Sequence, residues 1–292
     1  MKIGLGAVQF GMDYGISNPG GKTPLIEVER ILQLAAEHDV SVIDTAAQYG
    51  SSEEVLGQAL ASGQGFRIVT KTPSFRRQPI EARDAQALEE TFASSLQRLR
   101  LPSVYGLLIH HCEDLLAPGG EQLFSAMRGL KERGLVQKIG VSIYTPEQVD
   151  WVLERFAIDL IQIPINVLDQ RLVFGGQLTR LKQRGVEVHA RSVFLQGLLL
   201  MEPSAIPAYF TPWLPHLVKY WHFLEQNELT PLAGALAFLG GLEEIDVCLC
   251  GVNTAAQLAE ILRSASAKLP PQAMANFALK DPAILNPGLW KQ

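Results

Sequence analysis

Short apolar runs rich in β-branched residues alternate with segments of helical period along almost the whole 292-residue chain. Such alternation is typical of parallel strands joined by crossover helices. The runs predicted as strands are residues 3–8, 41–44, 67–71, 104–110, 138–142, 160–164, 186–190 and 247–251. Eight βα units without a linker rich in Pro, Gly or Ser predict one (β/α)8 TIM barrel, with a doubly wound sheet as the alternative. We therefore expect a single α/β domain over residues 1–292, with its active site at the C-terminal ends of the strands.

Helix starts are marked by N-capping residues. Thr23 and Thr145 each precede a proline, which predicts an N-cap followed by proline at the first helical position. Ser51 and Glu54 match the S-x-x-E capping box. These positions predict the N-termini of three of the crossover helices.

The segment after the seventh strand, residues 197–229, is longer than the other connections and rich in proline and aromatic residues. Long connections in compact domains are often functional. Two interpretations stay open at this point: a substrate lid, and a packed crossover that contains one extra helix.

Composition excludes several classes of protein. The formal net charge is −5, and no basic run exceeds the pair Arg76 and Arg77, so we expect neither nucleic acid nor an anionic membrane as a partner. Three cysteines, Cys112, Cys248 and Cys250, lack metal-binding spacing and predict a reducing compartment, the cytoplasm, and no metal site. The N-terminal run is interpreted as a strand rather than a signal peptide, and no apolar run is long enough to span a membrane. Nothing in the sequence indicates an oligomeric state.

Four polar residues fall at or just after the ends of three successive predicted strands. Asp44 ends the second strand, Tyr49 follows it, Lys71 ends the third and His110 ends the fourth. A lysine that closes an apolar strand is costly to bury unless a carboxylate pairs with it, and Asp44 lies on the neighbouring strand. We therefore expect these four side chains to meet.

Such a group can polarise and protonate a carbonyl. A lysinium near a tyrosine hydroxyl is expected to lower the pKa of the phenol, and a histidine beside it can orient a carbonyl oxygen. Each residue alone has an ordinary structural explanation as a cap, a packed ring or a surface cation. Only their coincidence indicates a catalytic site.

The motifs "DTAAQYGSSEEVLG" (44–57), "VTK" (69–71) and "LLIH" (107–110) resemble the aldo-keto reductase family, whose motif is an Asp, a Tyr five residues on, a Lys and a His. The resemblance extends to "GLGAVQFG" (4–11), "GVS" (140–142), "IQIPIN" (161–166), "ARSVFLQGLLL" (190–200) and "CGVNTAAQLAEIL" (250–262). It implies an NAD(P)-dependent reductase of an aldehyde or ketone, with a sugar-like carbonyl compound as a candidate substrate. In that reaction Tyr49 is the general acid, Lys71 lowers its pKa, Asp44 holds Lys71, and His110 orients the small-molecule carbonyl substrate.

The same resemblance implies a nicotinamide dinucleotide, NADP with NAD as the alternative. It places Ser142 and Gln162 at the carboxamide, and Ser192 with the backbone of residues 194–197 over the pyrophosphate. Thr254 with Gln257 forms a T-x-x-Q capping box, which is expected to aim free backbone N–H groups at a phosphate. The cofactor-binding residues implied in this way are Ser142, Gln162, Arg191, Ser192, Phe194, Gln196, Gly197, Gly251, Asn253, Thr254, Gln257 and Glu260.

Several positions depart from the family pattern. Ile143 and Ile261 stand where asparagines commonly bind the cofactor, and Arg191 stands where an aromatic residue commonly stacks on nicotinamide. Gly251 and Gln257 stand where many members have cations for the 2′-phosphate of NADP. A guanidinium plane can itself stack on an aromatic ring, so Arg191 can replace the aromatic residue.

Two other classes of function compete with the reductase. One is a lyase in which Lys71 forms a Schiff base with its substrate. The other is a regulatory protein that binds the cofactor with little turnover, as potassium-channel β subunits do. Against the lyase, a lysine paired with Asp44 stays protonated and is a poor nucleophile; against the regulatory protein, all four residues of the catalytic motif are present.

Overall fold

A computed structural model describes residues 1–60, 65–267 and 269–290 of the chain. Eight parallel strands close into a barrel in sequence order, and the eighth returns to pair with the first. The strands are β1 (Lys2–Gly6), β2 (Val42–Asp44), β3 (Arg67–Lys71), β4 (Val104–Ile109), β5 (Val136–Ser142), β6 (Leu160–Pro164), β7 (Glu187–Arg191) and β8 (Val247–Gly251). The predicted (β/α)8 barrel is confirmed, and the doubly wound alternative is wrong because this sheet has no open edge. A single domain over all of residues 1–292 stays a prediction, since that range extends beyond the described residues.

Helices lie between the strands and around the barrel. In the described part of the chain they are α1 (Val8–Gly11), α2 (Leu25–Glu37), α3 (Ser52–Ala59), α4 (Ala82–Leu99), α5 (Glu113–Leu116), α6 (Glu121–Glu132), α7 (Pro146–Arg155), α8 (Arg171–Phe174), α9 (Gln177–Gln183), α10 (Leu214–Gln226), α11 (Pro231–Gly240), α12 (Ala255–Ser264) and α13 (Pro282–Leu285). None of these helices is both long and apolar enough to cross a membrane.

Two apolar layers hold the barrel together. The smaller core cluster brings together six side chains from five of the eight strands, namely Val42, Val69, Leu108, Leu160, Val247 and Leu249. The larger layer lies between strands and helices, where α2 buries Val28, Ile31, Leu32 and Ala35 on one stripe. Because both layers are buried, the strand ends are held rigidly as a platform for side chains.

Two predicted N-caps are confirmed. The Thr145 hydroxyl accepts a hydrogen bond from the Gln148 amide at 3.4 Å at the start of α7. The Thr254 hydroxyl accepts one from the Gln257 amide at 3.2 Å at the start of α12. In both helices the glutamine side chain also bonds back to the cap, which completes a capping box.

Two other predicted caps are wrong. Helix α2 begins one residue later than predicted, with Pro24 at its N-cap, and the Thr23 hydroxyl accepts a hydrogen bond from the Asn253 side chain at 3.2 Å instead. Ser51 precedes α3 but makes no side-chain capping bond; its hydroxyl accepts from Lys22 Nζ at 2.6 Å. In each case a contact distant in sequence takes the place of the local bond.

The long segment after β7 is a packed crossover with one extra helix. It contains 3₁₀ turns at Leu195–Leu200, Pro203–Ala205 and Ala208–Trp213, followed by α10, whose inner face buries Leu217, Tyr220 and Leu224. The Tyr209 hydroxyl donates to the Ala283 carbonyl at 2.9 Å, which ties the segment to the C-terminal part of the chain. The segment thus contains the packed crossover with one extra helix, and the substrate lid stays a prediction.

Candidate active site

A cleft of about 510 Å³ opens at the C-terminal ends of the strands, within the size range of pockets that hold small molecules and cofactors. It is the end of the barrel at which the sequence predicted the site. Of the sixteen predicted site residues, the cleft is lined by Asp44, Tyr49, His110, Ser142, Gln162, Arg191, Ser192, Phe194, Gln196, Gly197, Gly251, Asn253, Gln257 and Glu260. Lys71 and Thr254 do not line the cleft; each contacts residues that do.

Lys71 is buried below the cleft and paired with Asp44. Its ammonium donates to both carboxylate oxygens of Asp44 at 2.7 Å and to the Thr45 carbonyl at 2.9 Å. Burial lowers the pKa of Lys71, but the charge and hydrogen bonds of Asp44 oppose that shift, and the three acceptors match the three N–H donors of an ammonium. Gln162 Nε2 also donates to Asp44 Oδ1 at 2.7 Å, which links the pair to β6.

Tyr49 and His110 lie above this ion pair. The Lys71 ammonium is 4.7 Å from the centroid of the Tyr49 ring, and the Tyr49 and His110 rings meet edge to face at 5.8 Å. The His110 backbone N–H donates to the Thr72 hydroxyl at 3.2 Å, which holds the end of β4 against β3. The predicted meeting of the four residues is therefore present in the structure.

The pKa of Tyr49 differs from the sequence expectation. Burial raises the pKa of the Tyr49 phenol well above its usual value, and the Asp44 carboxylate raises it further. The expected lowering by Lys71 is wrong for this structure because the Lys71 ammonium is neutralised by Asp44 and lies over the ring. A phenol with a raised pKa keeps its proton at neutral pH, so Tyr49 is present as the neutral phenol.

His110 is a neutral imidazole at physiological pH. Burial and the nearby charge of Lys71 lower its pKa to about 3. A neutral imidazole can donate one hydrogen bond without adding a second positive charge beside Lys71. It is suited to orient a carbonyl oxygen.

The backbone after β7 is folded tightly along one wall of the cleft. Ser192, Leu195 and Gln196 have φ of 57°, 49° and 53°, and Gly197 has φ of 94°. A Cβ atom on Gly197 would lie 1.8 Å from the Ser17 hydroxyl oxygen. Several left-handed residues in one short segment are costly, and such backbone clusters at functional sites.

Arg191 projects from the end of β7 across the top of β6. Its guanidinium donates to the Ile143 carbonyl at 2.9 Å and lies 4.3 Å from the centroid of the Tyr144 ring. The Arg191 guanidinium therefore lies over an aromatic side chain at this position.

The N-terminus of α12 is capped by its own chain. The amides of Asn253 and Thr254 donate to Gln257 Oε1 at 2.7 and 3.3 Å, and the amide of Ala255 donates to Glu27 Oε1 at 2.8 Å. The expectation of free N–H groups aimed at a phosphate is wrong for these three amides. The glutamine of the predicted capping box, Gln257, is itself the acceptor for the amides of Asn253 and Thr254.

The sequence profile of the Aldo/keto reductase family matches residues 2–281. The match spans all eight strands and every residue of the site described above. The chain belongs to the aldo/keto reductase family.

Curated relatives match over shorter stretches. Aldo-keto reductase YhdN of Bacillus subtilis is 28% identical over 178 residues, which is 59% of this chain and 52% of that protein. D-arabinose 1-dehydrogenase of Saccharomyces cerevisiae is 26% identical over 136 residues, 44% of this chain and 40% of that protein. The chain thus spans about half the length of the curated relatives that it matches.

Solved structures show the same fold over nearly the whole chain. The holo form of an aldo-keto reductase from Bacillus halodurans superimposes with a TM-score of 0.77 over 95% of this chain and 92% of that one, at 19% identity. At 19% sequence identity, this structural similarity shows that the two proteins share a fold and nothing more.

The cleft residues of this family member fit a polar ligand. Among the described residues, Gln9 Oε1, His110 Nδ1 and Arg191 Nε are buried polar atoms with no hydrogen-bond partner, and all three side chains line the cleft. Buried polar groups are normally paired, so atoms left open in one cavity indicate a ligand that pairs with them. The described residues contain no cluster of three or more side chains suited to bind a metal ion.

Among the cleft residues that the sequence analysis missed are three with large polar side chains, Gln9, Tyr14 and Tyr144. Gln9 and Tyr14 follow β1, and Tyr144 follows β5, so each comes just after the C-terminal end of a barrel strand. The rule that found Asp44 and His110 was therefore available for these residues as well.

Proposed function

We propose that this protein is an NAD(P)-dependent oxidoreductase that reduces an aldehyde or ketone, with Tyr49 as the general acid. The single observation that carries the proposal is the buried Lys71–Asp44 pair beneath Tyr49 and His110, at one end of a cofactor-sized cleft. Family membership supports the reaction type.

Each of the four residues has a separate role in the reduction of the carbonyl. When bound, the nicotinamide dinucleotide supplies a hydride to the carbonyl carbon. Tyr49 gives its proton to the carbonyl oxygen, which completes the alcohol, and regains a proton from water. His110, neutral at this pH, orients the oxygen and shares its developing negative charge. Lys71 and Asp44 hold the position of Tyr49 and set the local charge.

The cleft offers groups for each part of the cofactor. Ser142 and Gln162 lie at the ends of β5 and β6 for the carboxamide, and Arg191 offers a plane for stacking on the nicotinamide. The segment 192–197 lies along the wall for the pyrophosphate, and the residues after β8 lie at the far end for the adenosine. NADP and NAD have the same nicotinamide, so the residues that act on the carbonyl do not discriminate between the two cofactors.

The lyase alternative is disfavoured by the surroundings of Lys71. A Schiff base requires a neutral amine that reaches the substrate, whereas Lys71 makes three hydrogen bonds as an ammonium and does not line the cleft. No comparable observation favours a regulatory protein with little turnover, because the four residues are assembled for catalysis.

A sugar-like substrate is the narrower form of the proposal. Gln9 and Ser17 follow β1, line the cleft and offer polar groups for hydroxyls. One of the curated relatives is named for the sugar D-arabinose. Three free, buried cysteines in the described residues support the cytoplasm as the proposed compartment.

Isotope transfer tests the reaction directly. The protein is incubated with NADH or NADPH that carries deuterium at C4, and with a panel of sugar aldehydes and simple aldehydes and ketones; the products are weighed by mass spectrometry. We expect an alcohol that contains one deuterium at the former carbonyl carbon. Absence of any labelled alcohol from folded protein, together with a borohydride-trapped adduct on Lys71, would replace the reductase with the lyase.

A further inference from the structure

The position of the nicotinamide in the cleft determines where the adenosine of the cofactor lies. This step rests on the proposed function, in which the nicotinamide lies beside Tyr49 and His110. The cleft then runs past the end of β8 to Gln257 and Glu260 on α12. A dinucleotide with its nicotinamide beside Tyr49 must place its adenosine at this far end, the place where NADP and NAD differ by a 2′-phosphate.

A carboxylate that does not itself line the cleft is held next to this end, at the N-terminus of α12. Glu27, on α2, accepts the Ala255 amide of α12 at 2.8 Å, and this hydrogen bond lowers the pKa of Glu27. Amides at a helix N-terminus attract anions, and here an anion belonging to the protein already holds one of them. A phosphate bound close to the N-terminus of α12 is therefore repelled by the negative charge of Glu27.

The charged side chain that lines this end of the cleft is acidic rather than basic. Glu260 lines the far end of the cleft, and Arg191 is the only cation among its described lining residues, situated at the opposite end by Ile143. Arg30, the cation nearest to Glu27 along α2, is paired with that carboxylate at 3.1 Å.

Asn253 is also committed to other partners. Its side-chain amide donates to the Gly21 carbonyl at 3.1 Å and to the Thr23 hydroxyl at 3.2 Å. The two donors that a 2′-phosphate could otherwise take from this side chain are therefore used.

We infer that the protein uses NAD(H) in preference to NADP(H), and that Glu27 is a residue that sets this preference. A carboxylate accepts hydrogen bonds from a ribose 2′-hydroxyl but repels a 2′-phosphate, which carries between one and two negative charges. This inference reverses the order in which the family resemblance placed the two cofactors.

The inference is tested by measuring how tightly NADH and NADPH bind when the charge of Glu27 is removed. Dissociation constants for NADH and NADPH are measured by tryptophan fluorescence or calorimetry for the wild type, Glu27→Gln and Glu29→Gln. The glutamine at 27 keeps an oxygen for the Ala255 amide while losing the charge, and Glu29 is an exposed carboxylate on the same helix. We expect NADH to bind wild type about tenfold tighter than NADPH, Glu27→Gln to shrink that ratio about fivefold, and Glu29→Gln to leave it unchanged.

Salt supplies a second readout. A repulsion between charges is screened, so the NADH-to-NADPH ratio of the wild type is expected to fall as ionic strength rises, and that of Glu27→Gln to respond less. NADPH binding at least as tightly as NADH in the wild type, or a ratio unmoved by Glu27→Gln, would overturn the inference and leave the proposed function standing. Binding of neither nucleotide to folded protein would overturn the proposed function itself.

Discussion

Lys71 is among the largest fully buried side chains of the protein, and Asp44 neutralises its charge. The pair explains why an Asp and a Tyr five residues apart bracket the end of β2. Asp44 reaches the ammonium from the strand, and Tyr49 returns from the loop so that its ring lies over the same nitrogen. One buried cation thus contacts both the Asp44 carboxylate and the Tyr49 ring.

Replacing Lys71 by methionine is expected to cost stability as well as activity. The change leaves the Asp44 carboxylate buried without its partner, and breaking such a pair costs about 3–5 kcal/mol. Urea unfolding at neutral pH measures the loss. The matched double variant Lys71→Met with Asp44→Asn removes both charges and is expected to recover part of the stability while remaining inactive; a double variant no more stable than Lys71→Met would contradict the account of the pair.

At this scale, residue identities could be predicted from the sequence but their pKa values could not. The spacing of Asp44, Tyr49, Lys71 and His110 at strand ends was enough to predict that they meet. The direction of the Tyr49 pKa depends on how deeply the phenol is buried and on which face of its ring the ammonium lies. Neither quantity is encoded in sequence spacing.

At the scale of elements, α1 and α3 hold the loop that carries Tyr49. Gly11 ends α1, and a Cβ atom there would lie 1.8 Å from the Tyr49 carbonyl oxygen and 2.4 Å from the Ser52 amide nitrogen. The absence of a side chain at Gly11 therefore permits the close approach that positions Tyr49.

Gly11→Ala is expected to displace Tyr49 and reduce turnover. Misplacement of a catalytic group by about 1 Å can cost about 10²-fold, and overpacking costs about 1–3 kcal/mol. Gly129→Ala, in α6, is the matched control because a Cβ atom there meets no neighbour within 4 Å. Steady-state kinetics and thermal melting of the two variants make the comparison; equal turnover in both would mean that the α1 contact does not position Tyr49.

The ends of elements were the least predictable part of the fold. Thr145 and Thr254 cap their helices because their partners lie three residues away in sequence. Thr23 and Ser51 had equally good local signals but are engaged by Asn253 and Lys22, which approach from elsewhere. Local patterns predict local bonds, and tertiary contacts override them where a competing partner is near.

At the scale of the whole molecule, the two ends of the barrel have different chemistry. The eight strands were predictable because apolar runs of strand length recur between helical segments. At the end opposite the cleft, near the strand N-termini, Glu187 accepts the Tyr105 hydroxyl at 2.6 Å, contacts His189 at 2.7 Å and pairs with Lys138. This network joins β4, β5 and β7 and is expected to serve stability rather than catalysis.

Glu187→Gln is therefore expected to destabilise the barrel by about 2 kcal/mol without changing kcat, because hydrogen bonds to a charged acceptor are lost. Burial raises the pKa of Glu187, but hydrogen bonds from His189, Lys138 and Tyr105 outweigh it and lower the pKa to about 2. Because the folded pKa is below that of the unfolded chain, about 4.3, the contribution is present above about pH 4.5 and is lost as the pH falls towards 2. Urea unfolding between pH 7 and 3 should show a smaller acid loss in Glu187→Gln than in the wild type, and equal losses would refute the assignment.

The measurement that tests the central claim most directly is the rate of carbonyl reduction by Tyr49→Phe. The phenylalanine keeps the ring over Lys71 and removes only the proton donor, so we predict that kcat falls by at least about 10² while the affinity for the reduced cofactor is unchanged. Tyr105→Phe, at the other end of the barrel, is the matched control and is expected to retain wild-type kcat. Wild-type kcat in Tyr49→Phe would contradict the assignment of Tyr49 as the general acid, and with it the mechanism proposed for this site.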